Sequence, residues 1–181
     1  PVRLSQLINR LLDWARMESG KRSYLLEPVA VADVLDDALA ALEPLLLQAP
    51  AQVSCKVTPG LPRVRADRAA LADALTNLLH NAHKYTGPEK RIAVTAGQEA
   101  GAVEIRVADN GPGIAAPDQK RIFEKFYRAK DPLDRTIEGS GLGLAIVNHI
   151  AEAHGGRVSV ASTPGQGAVF TISLPPAEGA P

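Results

Sequence analysis

Leu71, Leu75, Leu78 and Ala82 recur at three- and four-residue spacing, so a helix wound at about 100° per residue carries them on one face. Asp73, Asn77, His80, Asn81 and Lys84 share the opposite face, and Asp67 is the expected N-cap. The same period runs through Leu4, Leu7, Ile8, Leu11, Leu12 and Ala15, predicting a terminal helix that ends near Gly20. It also predicts an amphipathic helix over 31–48 that Pro44 kinks late, a short helix over 118–123, and a helix over 142–154 stopped by Gly155-Gly156. Alternating runs predict strands at 52–57, 92–96 and 103–108, and a closing hairpin of 157–162 with 169–174. Residues 24–28 read as an edge strand, since Pro28 cannot donate to a central ladder, and 63–66 as a brief strand. The charged, aperiodic stretch 124–139 reads as a mobile loop, and the tail from Pro175 as frayed.

These elements do not alternate regularly, several hairpins are implied, and no internal repeat is present. The order predicts a two-layer α/β sandwich: an open, mixed sheet of about five strands covered on one face by about three helices. It argues against a doubly wound parallel sheet.

Composition narrows the function. The chain has 181 residues, enough for one ordinary core plus an appendage. Its 20 basic and 20 acidic residues cancel, which removes any bulk electrostatic case for nucleic acid or anionic membrane. Phosphate recognition, if present, must be local. Aromatic residues are only 4%, so Leu, Val, Ile and Ala must fill the core. Cys55 is the only cysteine, which excludes an internal disulfide and a cysteine metal cage and points to a reducing compartment. No apolar run has bilayer length, and residues 1–20 lack a secretory pattern; the expectation is a cytoplasmic location for this stretch.

Three short stretches carry chemistry. Asn77 and Asn81, one turn apart, are poor helix formers. Their amide oxygens suit a hard cation, and Lys84 one turn on suits an anion, so a magnesium-phosphate ligand would satisfy all three; a plain polar face is the alternative. Gly139-Ser140-Gly141-Leu142-Gly143-Leu144 opens a helix, where backbone N–H groups can approach a phosphate. It is neither a dinucleotide fingerprint nor a Walker A loop. Asp109-Asn110-Gly111-Pro112-Gly113-Ile114 ends a strand. Its carboxylate could accept from an exocyclic amine such as that of adenine, or it could simply cap a tight turn.

The order of these motifs is more specific than any one of them. Asn-x-x-x-Asn-x-x-Lys-Tyr, Asp-x-Gly-x-Gly, Phe123-x-x-Phe126-Tyr127-Arg128 and Gly-x-Gly-x-Gly follow one another over about 70 residues. This run resembles the catalytic ATP-binding domain of bacterial sensor histidine kinases, with its N-box, two glycine boxes and F-box. The likeness extends from about Tyr24 to Pro175, taking in His154-Gly155-Gly156 and the closing Gly-x-Gly-x-Val-Phe-Thr-Ile-x-Leu-Pro. Residues 1–20 resemble the second helix of that family's dimerisation and phosphoacceptor hairpin. The implied division is 1–20 hairpin helix, 21–176 catalytic domain of Bergerat type, and 177–181 tail.

The resemblance implies that Asn81 ligates magnesium, with Asn77 on the metal and phosphate side, and that Lys84 contacts phosphate. Tyr85 would pack near the nucleotide. Asp109 would bind the adenine amine, with Gly111, Gly113 and Ile114 beside the ring. Arg128 would reach the phosphates from the base of an ATP lid spanning 124–139. Gly141, Leu142, Gly143 and Leu144 would line the phosphate side, and Thr171 would meet adenine through water. The implied reaction is transfer of the γ-phosphoryl group of ATP, with Mg²⁺, to a histidine, for relay to a response regulator receiver domain. The implied parent protein is a homodimer anchored in the inner membrane.

None of His80, His83, His149 and His154 has the sequence context of the family's phosphoacceptor, so the chain reads as a catalytic piece that lacks its own acceptor. The acceptor hairpin would come from the same or a second subunit. The fold also resembles gyrase, heat-shock chaperone and MutL ATPases, which place a water-activating Glu where this chain has Asn77; fast ATP hydrolysis is not expected. Anti-sigma serine kinases share the fold, and a nucleotide-binding scaffold without catalysis is the rival from another class.

Overall fold

The computed structural model describes residues 15, 17, 22–129 and 140–177. The first strand, β1 (Glu27–Val29), leads into helix α1 (Val31–Gln48). Then come β2 (Gln52–Val57), β3 (Val64–Ala66) and helix α2 (Arg68–Tyr85). The hairpin β4 (Arg91–Glu99) and β5 (Ala102–Asp109) precedes a single helical turn, α3 (Ala116–Gln119). Helix α4 (Gly143–Ala153) and the hairpin β6 (Arg157–Ser162) and β7 (Ala168–Leu174) complete the order.

Five strands form one mixed sheet in the order β2-β4-β5-β7-β6. β2 runs parallel to β4, the pair being connected through β3 and α2, and the other neighbours are antiparallel. The β4–β5 turn uses Ala100 and Gly101, both at positive φ, which matches the twist of a two-residue hairpin. Alternation sets the two faces. Val103, Ile105 and Val107 of β5 and Phe170, Ile172 and Leu174 of β7 are buried under the helices. Ile92, Val94 and Ala96 of β4 continue that layer. The expected two-layer sandwich is therefore the architecture.

Helix α2 is the middle of the helical layer, packed between α1 and α4 and over β4 and β5. Leu71, Leu75, Leu78, Leu79 and Ala82 are all buried on its inner stripe. Each such leucine contributes about 1.5–3 kcal/mol by leaving water. Asp67 caps the helix through a bond from the Ala70 N–H at 3.0 Å, as its sequence position predicts. At the other end Lys90 Nζ donates to the carbonyls of His83 and Thr86, at 2.7 and 2.8 Å, and completes the last turn.

Several expectations need correction. The edge strand near residue 27 is shorter than expected, Glu27–Val29, and lies apart from the main sheet. It pairs antiparallel with β3 in a separate two-stranded sheet. Helix α1 keeps its expected bounds, Val31–Gln48, with Pro44 inside it. The short helix begins earlier than expected, at Ala116, because Pro117 presets its first turn, and it gives way to turns after Gln119. The tail is fastened as far as Ala177, whose N–H donates to the Arg63 carbonyl at 2.7 Å beside the Val64–Pro176 bridge. The predicted N-terminal helix lies outside the described residues apart from Ala15 and Met17, which are both helical, with Met17 buried. Residues 130–139 of the predicted lid and 178–181 of the tail also lie outside them.

Candidate functional site

The outer stripe of α2 faces two glycine turns. At its middle, Asn77 Nδ2 donates to the Asp73 carbonyl at 3.0 Å. That bond assigns the amide orientation and turns Oδ1 outward. A Cβ placed on Gly143, the first residue of α4, would stand 3.3 Å from this oxygen. The second glycine turn therefore meets α2 at Asn77. At the helix C-terminus the first glycine turn makes the matching approach. A Cβ on Gly111 would stand 2.8 Å from Asp109 Oδ1 and 3.1 Å from the Tyr85 carbonyl. Asn77 and Tyr85 are eight residues apart, about 12 Å along the axis. Asn81 and Lys84 lie between them, both half-buried.

Lys84 Nζ donates to Tyr85 Oη at 3.1 Å and sits 4.5 Å from that ring's centroid. Among the described residues Asn81 makes no side-chain hydrogen bond. His80 lies on the same outer stripe, half-buried.

Asp109 ends β5 on the helix-facing side, opposite Ala168 of β7. Burial pushes its carboxyl above the usual carboxylate range, and the N–H groups of Gly111 and Ala168 oppose that shift by bonding the ionised form. Gly111 N–H donates to Oδ1 at 2.8 Å. The carboxylate is thus held by its own turn and aimed by it. Asn110 points the other way, accepting from Arg91 N–H at 2.7 Å and donating to the Glu89 carbonyl at 2.8 Å.

Left-handed backbone is required at two points. Gly113 has φ of 75°, and a Cβ there would overlap the Thr163 carbonyl. Gly141 has φ of 68°, and a Cβ would stand 2.9 Å from the backbone of Phe126. The Phe126 N–H donates to the Gly141 carbonyl at 3.0 Å, and Phe126 is itself at φ of 60° and exposed. This contact ties the base of the predicted lid to the second glycine turn. Arg128 follows two residues later on the exposed surface. Tyr127 Oη donates to Asp118, and the Arg121 guanidinium lies 4.2 Å from the Tyr127 ring centroid.

The structure thus brings together Asn77, Asn81, Lys84, Tyr85, Asp109, Gly111, Gly141, Leu142, Gly143 and Leu144 along one edge of the helical layer. Leu142 is buried as the residue before α4, and Leu144 packs against the core. Gly113 and Ile114 continue the first turn. Thr171 is not brought there. It pairs with Arg106 and Ser159 on the open face of the sheet, opposite to the face that carries Asp109. One residue of strand offset reverses the side, and 171 has the wrong parity. What the sequence reading missed is the support beneath the first turn, supplied by Ser162, Gln119 and Gly167. The closing Gly-x-Gly was the available signal, since it places positive φ at Gly165 and Gly167, the second of them beside Asp109. Among the described residues no group of three or more His, Cys, Asp or Glu is placed to hold a metal.

The family described as histidine kinase-, DNA gyrase B-, and HSP90-like ATPase matches residues 66–178. The sensor-like histidine kinase SenX3 of Mycolicibacterium smegmatis is 34% identical over 173 residues, covering 96% of this chain and 45% of its own length. The adaptive-response sensory kinase SasA of Parasynechococcus marenigrum is 40% identical over 146 residues, covering 80% of this chain and 38% of its own. Among solved structures, full-length ShkA in complex with AMPPNP aligns with a TM-score of 0.86 at 34% identity, over 99% of this chain and 37% of that one. The mycobacterial sensor histidine kinase MprB aligns with a TM-score of 0.70 at 32% identity, over 84% of this chain and 100% of that one. The chain spans less than half the length of these curated relatives.

Proposed function

This chain belongs to the histidine kinase-, DNA gyrase B- and HSP90-like ATPase family, and from that premise we propose that it is the ATP-binding catalytic portion of a sensor histidine kinase. The observation that carries the proposal is the convergence of both glycine turns on α2, one at Asn77 and one at Tyr85. The span between them offers amide oxygens, an ammonium and backbone N–H groups to a polyphosphate, with Asp109 at one end for the base. That kinases such as SenX3 and SasA are relatives over most of the chain favours this reading over a scaffold without catalysis.

Asn81 and Asn77 present neutral oxygen donors, which suit Mg²⁺ when phosphate oxygens and water complete its shell. A site built this way needs no carboxylate cluster. The ion, once bound, would neutralise charge on the β- and γ-phosphates. The chain's own residues do the rest. Gly143 lets the start of α4 approach the phosphates, and the N–H groups of its first turn face them. Lys84 supplies a cation from α2 by swinging off Tyr85. Arg128 supplies a second cation from the base of the lid. Asp109, as the carboxylate, accepts from the exocyclic amine of adenine and fixes the nucleotide's orientation.

Asn77 cannot act as a base toward water, which suits phosphoryl transfer to a protein acceptor better than hydrolysis. The acceptor we propose is a histidine on a dimerisation hairpin, and the next acceptor is a response regulator receiver domain. Incubation of the chain with γ-labelled ATP, Mg²⁺ and an acceptor hairpin from a related kinase tests this. Label on the hairpin histidine supports the reading, and its loss in Asn81→Ala ties transfer to this site. Absence of label with the parent chain, despite bound ATP, favours the scaffold instead.

A further inference from the structure

The turn that carries Asp109 is held from behind. Ile114 N–H donates to Ser162 Oγ at 2.8 Å, and the same hydroxyl donates to the Gly167 carbonyl at 2.6 Å. Ser162 is the last residue of β6, and Gly167 immediately precedes β7. One hydroxyl therefore uses its donor and an acceptor lone pair to join the glycine turn to both strands of the closing hairpin. Gln119 reinforces the joint, donating from Nε2 to the Ile114 carbonyl at 2.9 Å and to the Ser162 carbonyl at 2.8 Å. Gly165 N–H adds a bond to the Pro112 carbonyl at 2.7 Å. Contact is close enough that Gly113 and Gly167 leave no room for a Cβ against Thr163 and Asp109 respectively.

These bonds all lie on the hairpin side of the turn. On its other side the turn holds Asp109 through the Gly111 N–H. The backbone from Ile114 through Gly113 to Gly111 joins the Ser162 hydroxyl to the N–H that holds the carboxylate, which also accepts from the Ala168 N–H. Removing the Ser162 hydroxyl would leave the Ile114 N–H and the Gly167 carbonyl without their partner in a part-buried place, which the turn relieves by moving.

We infer that Ser162 is a positioning residue for recognition of the nucleotide base, acting through the Ile114 amide on the turn that aims Asp109. The inference rests on the ATP reading above and deepens it, assigning to the β6–β7 hairpin a part in base selection that neither glycine turn has alone.

The test compares the full chain with Ser162→Ala, Ser162→Thr and Gln119→Ala. Ser162→Ala is expected to weaken MgATP binding about tenfold and to speed hydrogen exchange of the Ile114 amide by about the same factor, the size of one lost partner for a part-buried donor. Displacement of a fluorescent ATP analogue by magnesium tripolyphosphate, which has no base to be aimed, is expected to stay within about twofold of the parent, as a loss confined to the base side requires. Ser162→Thr keeps the hydroxyl and restores both MgATP binding and exchange protection. Gln119→Ala shifts both in the same direction by about threefold, as one weaker bond would. It decides the question if Ser162→Ala does not fold. Unchanged MgATP affinity in these variants overturns the inference while leaving the ATP reading intact. So does an equal loss for tripolyphosphate, which would mark general damage. A parent chain that binds no MgATP overturns the nucleotide reading itself.

Discussion

The backbone N–H of Asp67 donates to Nε2 of His154 at 3.0 Å, joining the first turn of α2 to the end of α4. The other ring nitrogen faces the Ile150 carbonyl at 2.6 Å, so the network assigns the proton to Nδ1 and leaves Nε2 an acceptor. Both helices border the candidate site, and this ring links the first turn of one to the last turn of the other. The chain entering from the N-terminus is fastened to the same place. Leu25 N–H donates to Asp67 Oδ2 at 3.1 Å, and the Tyr24 ring meets His154 edge-on at 5.2 Å. The Arg22 guanidinium lies over Tyr24 at 5.2 Å and reaches Asp73 at 3.7 Å.

This arrangement requires a neutral His154. Burial holds its pKa below the ordinary histidine value, although the Ile150 carbonyl and the Asp67 carboxylate oppose that shift and Arg22 adds to it. Below about pH 6.5 the unfolded chain takes up this proton while the native state resists it. Stability contributed by neutral His154 is therefore present above that pH and lost as pH falls through it. Urea unfolding at pH 7.5 and 5.5 should show a larger loss for the parent than for His154→Gln. At pH 7.5 the substitution should cost about 1–3 kcal/mol, the range for a lost part-buried acceptor. An equal pH dependence in the two proteins would contradict this.

Asp109 should trade stability for binding. Its folded pKa is raised by burial, so above the unfolded carboxylate value the native state pays to ionise it. Asp109→Asn is expected to raise the melting temperature of the nucleotide-free chain at pH 7, with the gain shrinking as pH falls through the raised folded pKa and gone below about 4. The same variant opposes an amide to the adenine amine and should lose at least about tenfold in MgATP affinity. Differential scanning calorimetry and titration on one preparation check both halves.

Two glycines of the second turn should behave differently. Gly143 has no positive φ, and Ala there improves the first turn of α4, so Gly143→Ala should hold or raise stability by up to about 1 kcal/mol. Its Cβ crowds Asn77 Oδ1, so MgATP affinity should fall all the same. Gly141→Ala meets the Phe126 backbone and a left-handed φ, and should lose at least about 1 kcal/mol of stability. Denaturant midpoints and nucleotide affinities measured together separate the two.

Much of this molecule was readable from residue pattern. The inner and outer stripes of α2, its Asp67 cap and the hairpin strands are local signals, set by periods of 3.6 and 2 that burial enforces. The two glycine turns were readable as motifs, and their convergence on Asn77 and Tyr85 follows once the sheet orders its strands. What depended on register was harder to see. Thr171 looked suitable in a linear motif, but its place opposite Arg106 puts it on the wrong face, a fact fixed by strand parity and pairing. The pairing of β1 with β3 and the anchoring of Ala177 to Arg63 are long-range contacts with no local pattern behind them. Ser162 and Gln119 were invisible for the same reason, since the bonds by which they join the glycine turn to the closing hairpin span more than 40 residues of sequence.

Calorimetric titration of the chain with ATP and Mg²⁺, run beside Asn81→Ala, tests the central claim most directly. A single saturable site in the parent, weakened at least about tenfold in the variant, is the predicted result. No heat with the parent, or equal binding by the variant, would contradict the placement of a nucleotide between the polar stripe of α2 and its two glycine turns.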